Sequence, residues 1–175
     1  MVSNARALGL DVVVGLGSNV GQREHQLERA ASAIATLGTV TACSSVYETV
    51  PVGPPQPDFL NAAVRLRTAL EPHALLDRLL DIERAAGRER RVRWGPRTVD
   101  LDVLWIQGVV LDTARLSVPH PELERRAFAL VPLLDVAPEA TNPASHRAYA
   151  DIVRALGTTG VRKVSFRLDD TLRLP

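Results

Sequence analysis

The residues best suited to chemistry lie in one short run, Arg97-Thr98-Val99-Asp100-Leu101-Asp102. Successive side chains of a strand alternate between faces, so Asp100 and Asp102 would share one face while Val99, Leu101 and Val103 take the other. Adjacent carboxylates repel each other and are costly to strip of water. A hard divalent cation resolves both problems, and Mg²⁺ takes one or two carboxylates together with water and phosphate oxygens. A half-exposed strand with an acidic solvent face fits the same pattern. Arg97 adds a guanidinium fork that matches a phosphate. Arg84, Arg88, Arg90, Arg91 and Arg93 crowd the stretch before it, more than Glu89 can neutralise. A phosphate-rich substrate accounts for the basic run and the acidic strand together; a solvated surface loop is the plainer alternative.

Other chemistry-bearing residues give weaker signals. The run Gly15-Leu16-Gly17-Ser18-Asn19-Val20-Gly21 lacks the Gly-Lys-Ser/Thr of a phosphate-binding P-loop and the third close glycine of a dinucleotide fingerprint. It is expected to be a tight strand-to-helix turn, with Asn19 holding a neighbouring loop. His25, His73, His120 and His146 are too widely spaced for a zinc site. His120, between Pro119 and Pro121, sits in a rigid turn from which it could donate to a phosphate. Trp94 and Phe128 suit either a core anchor or a face for a flat ring. Cys43 is the only cysteine, which excludes an internal disulfide.

These residues need a scaffold, and the chain length of 175 residues suits a single domain, 1–175, with 1–10 expected to be a flexible tail. Val12-Val13-Val14 reads as a buried strand, and Gln22 to Leu37 carries helical spacing that Gly38 ends. Val40 to Val50 reads as a strand. Pro51-Val52-Gly53-Pro54-Pro55-Gln56-Pro57 must be a stiff loop, because proline fixes φ and removes ladder donors. Phe59 to Leu70 is a further strand, Pro72 opens a helix that Gly87 closes, residues 88–97 form an exposed loop, and Val99 to Ile106 is a strand. Pro119 to Leu134 and Ala148 to Leu156 suggest a tail of short helices. The order strand, helix, strand, strand, helix, strand predicts an α/β (α+β) fold: a ferredoxin-like antiparallel or mixed sheet with helices on one face.

The quoted motifs together resemble 6-hydroxymethyl-7,8-dihydropterin pyrophosphokinase along almost the whole chain. The resemblance rests on Arg93-Trp94-Gly95-Pro96-Arg97-Thr98-Val99-Asp100-Leu101-Asp102, on Gly17-Ser18-Asn19, on Pro57-Asp58-Phe59-Leu60-Asn61-Ala62-Ala63, on Val118-Pro119-His120-Pro121 and on Arg126-Ala127-Phe128. It implies a folate-pathway enzyme that moves pyrophosphate from ATP to the hydroxymethyl group of a reduced pterin and releases AMP. It further implies two Mg²⁺ ions on Asp100 and Asp102, with Arg88 and Arg97 gripping the triphosphate and assisting transfer. Trp94 would belong to a loop that closes over the site. The ATP side would comprise Glu83, Trp94, Arg97, Arg115, Leu116, Ser117, His120 and Arg126. The pterin would lie between Phe59 and Phe128, read by Thr49, Val50, Val52 and Asn61. Phe59 stands where the family often has tyrosine.

Rival readings are another ATP-dependent phosphotransferase on the same fold, or a nucleic-acid-binding module. Lys plus Arg total 21 against 20 for Asp plus Glu, a net charge of +1 that speaks against a nucleic-acid or anionic-membrane partner. The expected partners are ATP and reduced hydroxymethylpterin, with a monomeric state and contact with neighbouring folate-pathway enzymes as further expectations. The N-terminus lacks a basic start and a long apolar run, so the expected location is cytoplasmic.

Overall fold

The computed structural model describes residues 9–87 and 98–172. The sequence expectations for Arg88, Arg90, Arg91, Arg93, Trp94 and Arg97 therefore lie outside the described residues.

Strand β1, Leu10–Ser18, begins at the last residue of the expected tail and continues through Gly15 and Gly17. The glycine run is thus mostly strand, and the turn into the first helix occupies only Asn19 to Gln22. Helix α1, Arg23–Ile34, buries Leu27, Ala30, Ala31 and Ile34 and passes into a 3₁₀ turn at Ala35–Leu37. The expected single strand over 40–50 is divided into β2, Thr39–Cys43, and β3, Ser45–Thr49. The break is Ser44, whose Oγ accepts from the Ala63 N–H at 2.8 Å while its own N–H donates to Ala63 O at 2.9 Å. Strand β4 covers Phe59–Thr68, and α2, Pro72–Ala85, starts with proline at its first position, where no N–H is required.

Strand β5, Asp100–Ile106, is followed by a small ribbon of β6, Leu111–Asp112, and β7, Ser117–Val118. Helix α3, Ala127–Val136, is apolar nearly all round and contains a buried Pro132. Helix α4, Tyr149–Leu156, precedes β8, Val161–Arg167, and a short α5, Asp169–Leu172. The sequence reading anticipated helices alone after β5 and missed β8. This strand has no buried position and no clean alternation of apolar and polar residues.

The main sheet runs β5-β1-β4-β3-β8, with β2 also paired to β4, and every pairing is antiparallel. Its two faces carry separate cores. Val12, Val14, Leu16, Leu60, Val64, Leu66, Leu101 and Val103 pack with Leu27, Ile34, Leu75 and Leu79 of α1 and α2. On the reverse face Val13, Ala63, Leu104 and Trp105 pack with Leu130, Leu133, Tyr149 and Ile152 of α3 and α4. Helices therefore cover both faces, where the sequence reading placed them on one. The second layer does not reach the ends of β1 and β5 that carry Gly17 and Asp100. That uncovered end is where the cleft lies.

Candidate active site

The cleft is built on sheet register. In antiparallel pairing, directly opposed residues project to the same face. Gly17 lies opposite Asp100 on one side and Asn61 on the other; Gly15 lies opposite Asp102 and Ala63. Next along, Asn61 opposes Tyr47 and Phe59 opposes Thr49. Carboxylates, a carboxamide and an aromatic ring are therefore arrayed across one surface, with glycine at its centre. A Cβ on Gly17 would come within 3.2 Å of Asn61 Oδ1, and one on Gly15 within 2.9 Å of the Leu104 side chain. The missing side chains at 15 and 17 are what keep the floor low.

The resulting cavity encloses about 820 Å³, open mouth included. It brings together Thr49, Val50, Val52, Phe59, Asn61, Asp100, Asp102, Arg126 and Phe128. Of the expected site residues within the described parts, these converge despite wide separation in sequence. Asn61 is only 8% exposed, and its Nδ2 donates to Thr49 Oγ1 at 2.6 Å. The Arg126 guanidinium carbon sits 5.8 Å from the centre of the Phe128 ring, within cation–π range. Val50 and Val52 are 66% and 64% exposed, apolar side chains held at the rim of the cleft rather than in the core.

His120 stands beside this array. Its backbone N–H donates to Leu104 O at 2.9 Å, and its Nδ1 accepts from the Glu122 N–H at 3.2 Å. Burial depresses its pKa, helped by the positive charge of Arg126 and opposed by Asp100 and Glu122. An accepting Nδ1 leaves Nε2 as the proton-bearing nitrogen of the neutral ring.

The remaining expected residues sit apart from the cleft lining. Glu83 is 2% exposed and its Oε1 accepts from the Leu101 N–H at 2.7 Å, fastening α2 to the start of β5. Arg115 is exposed and paired with Asp77 of α2. Leu116 is buried, and Ser117 Oγ donates to Asp112 Oδ1 at 2.8 Å across the small ribbon. Sequence reasoning did not assign Gly15, Gly17, Pro51, Leu104 or Ala129 to the site, and these also line the cleft. The alternating Gly15 and Gly17 carried a usable signal: small residues two apart in a strand leave one face bare.

Asp100 and Asp102 are half-buried and line the same cleft. Among the described residues no group of three or more His, Cys, Asp or Glu side chains could cage a metal ion. Two carboxylates lining one cleft fit Mg²⁺, which keeps several waters and shares its shell with substrate phosphates.

The family model for 7,8-dihydro-6-hydroxymethylpterin-pyrophosphokinase (HPPK) matches residues 13–138. The chain belongs to this family. The match runs from β1 through α3 and leaves α4, β8 and α5 beyond it. Among relatives, a 2-amino-4-hydroxy-6-hydroxymethyldihydropteridine pyrophosphokinase of Synechocystis is 41% identical over 155 residues, covering 87% of this chain and 80% of its own. The enzyme of the same description from Pseudomonas aeruginosa is 40% identical over 156 residues, 87% of this chain and 96% of its own. Among solved structures, a Plasmodium falciparum HPPK-DHPS chain superposes with a TM-score of 0.65 at 15% identity. It covers 83% of this chain, which spans 44% of that larger protein, and the likeness speaks for the pyrophosphokinase fold.

Proposed function

We propose that the cleft holds Mg–ATP and the reduced pterin side by side, with Asp100 and Asp102 at the phosphate end and Phe59, Asn61 and Phe128 at the pterin end. The enzyme transfers pyrophosphate from ATP to 6-hydroxymethyl-7,8-dihydropterin, releasing AMP, in folate biosynthesis. The observation that carries the site assignment is that a carboxylate pair and two aromatic rings, distant in sequence, line one glycine-floored cavity.

The pterin end suits a flat, polar-edged ring. Phe59 and Phe128 offer aromatic faces, while Asn61 and Thr49 supply hydrogen-bonding groups at a buried edge. Val50 and Val52 close the rim. At the phosphate end Asp100 and Asp102 would hold Mg²⁺, two ions in the full complex. When bound, such ions draw negative charge from the phosphate oxygens. Arg126 and His120 Nε2 are assigned as donors to the nucleotide, and Arg88 and Arg97 are assigned the triphosphate with Trp94 in the closing loop. Glu83, Arg115, Leu116 and Ser117 are assigned to the nucleotide side, Glu83 through its hold on β5. The pterin hydroxymethyl oxygen attacks the β-phosphorus; the bond from the bridging oxygen to that phosphorus breaks, and the oxygen leaves with AMP. The hydroxyl proton passes to solvent. The chain's own contribution is alignment of nucleophile and leaving group and stabilisation of the moving charge.

Among the described residues no helix is long and apolar enough to cross a membrane, and we assign the enzyme to the cytoplasm as a monomer that can contact neighbouring folate-pathway enzymes. The test is incubation with reduced hydroxymethylpterin, ATP and Mg²⁺, with identification of both products. AMP and the pterin diphosphate are expected; ADP, or no turnover, would overturn the reading.

A further inference from the structure

The loop between β3 and β4, residues 50–58, forms the outer wall of the cleft through Val50, Pro51 and Val52. Prolines at 51, 54, 55 and 57 remove N–H donors from this stretch, so its placement depends heavily on side chains reaching in from elsewhere. Asn19, 2% exposed, donates from Nδ2 to Gln56 Oε1 at 2.9 Å and to Pro57 O at 3.0 Å. The second reach is by Arg23, the first residue of α1. Its Nη1 donates to Asp58 O at 2.9 Å, and its Nη2 pairs with Glu48 Oε2 at 2.8 Å.

Those contacts have a particular geometry. Glu48, the penultimate residue of β3, and Asp58, the last loop residue before β4, are the two stems by which the chain enters and leaves the loop. One planar guanidinium joins both stems, with a separate nitrogen committed to each. Glu48 projects to the face opposite Thr49, because neighbours in a strand point to opposite faces. The clip therefore lies beneath the sheet, on the α1 side, and cannot touch a ligand above it. The other Glu48 oxygen pairs with Arg162 of β8, the residue directly across from it in register. Arg162 lies beyond the segment that the family model matches, so the terminal strand braces the same carboxylate.

We infer that Arg23 is a positioning residue for the pterin: by clipping Glu48 to Asp58 it sets the width of the loop base and so the distance from Val50 and Val52 to the Phe59 ring. This rests on the reading of that end of the cleft as the pterin site. Lysine cannot reproduce the clip, because it presents one ammonium in place of a fork with separate nitrogens for the two stems. Glu48 is the more replaceable partner, since glutamine retains an acceptor for Arg23.

The test compares Arg23→Ala, Arg23→Lys, Glu48→Gln and Arg162→Ala in the full chain by steady-state kinetics, together with direct titration of the pterin in the presence of a nonhydrolysable ATP analogue. Arg23→Ala is expected to raise the pterin KM and Kd about tenfold while the KM for ATP and kcat stay within about twofold. Arg23→Lys should fall between wild type and Arg23→Ala, and Glu48→Gln and Arg162→Ala should show the same selective effect in smaller size. Equal loss for both substrates, a fall in kcat alone, or no change in pterin affinity in folded Arg23→Ala would each overturn the clip. Phe59→Ala and Asn61→Ala serve as controls on the underlying reading. If they weaken the pterin and Arg23→Ala does not, the clip fails and the site stands; if they leave the pterin unaffected, the site itself is misplaced.

Discussion

The two faces of β1 are made from the same nine residues and meet opposite fates. Val12, Val14 and Leu16 turn to α1 and α2 and are at most 2% exposed. On the other face Val13 is sealed by the α3 layer, but Gly15 and Gly17 extend past it into the cleft. One face is filled with branched aliphatic side chains and gives the fold its cohesion. The other is emptied by glycine and bordered by Asp100, Asp102 and Asn61, whose polar groups would weaken a closed core. Stability and chemistry are thus divided between faces of the same strands, so that substitutions on each should be felt by different measurements.

The largest separation is expected at β5. Asp100→Asn and Asp102→Asn should each leave the melting profile of the free enzyme nearly unchanged and reduce turnover by on the order of 10²–10³-fold or more. Turnover across a Mg²⁺ series, with metal counted in an ATP-analogue complex, checks this. Near-normal activity in either folded variant would remove the carboxylate pair from the reaction.

The opposite outcome is expected on the packed face. Leu66 in β4 is fully buried against the α1 and α2 core, and Leu66→Ala should cost about 2–5 kcal/mol of stability through lost burial and the cavity left behind. Both KM values should stay near wild type at a temperature where the variant is folded. A selective change in either substrate's affinity would mean that the faces are coupled.

Within the cleft, Asn61→Ala should weaken the pterin by about 1–3 kcal/mol, the scale of one buried polar partner, with little effect on the ATP analogue. Gly17→Ala sharpens the same point, since the added methyl would press on Asn61 Oδ1 from 3.2 Å; a loss of about 1 kcal/mol in pterin binding is expected. Separate titrations of the two ligands decide both, and equal losses would place Asn61 and Gly17 in a structural role.

The smallest effect concerns the tyrosines of the α3 face. Burial and the hydrogen bond from its hydroxyl to Asp135 Oδ2 push Tyr47 up to about 12, and burial raises Tyr149 as well. The unfolded chain would ionise them near 10, so between about pH 10 and 12 the folded state holds more protons and stability falls as pH rises. Absorbance of the phenolate should therefore lag the free amino acid until unfolding releases it. A native titration at the ordinary tyrosine pKa would show that this layer is open.

Much of this was legible in the chain itself, for physical reasons. The period of two in Asp100-Leu101-Asp102 identifies both a strand and its polar face, and the proline spacing over 51–57 allows little but a loop. The alternation of helices and strands points to an antiparallel or mixed sheet, though not to the order of its strands. What escaped depended on distance or on weak pattern. Strand β8 is mostly exposed, so its sequence carries no burial signal. The second helical layer was hidden because α3 is apolar nearly all round and names no particular face. Glu83 reads as an ordinary helical acid, and only the fold brings it under Leu101 N. The glycines at 15 and 17 suggested a turn, since their value as absent side chains becomes visible only with β4 and β5 alongside.

The order of the sheet has a consequence for where this chain can be shortened. Without β8, the backbone of β3 would become the rim of the sheet, with free N–H and C=O groups beside the loop that walls the cleft. A chain ending where the family match ends, at residue 138, would keep every cleft-lining residue and still expose a template for pairing with another copy. The strand β8 pairs that rim and carries Arg162, Lys163 and Arg167, and charged side chains on an edge disfavour edge-to-edge pairing.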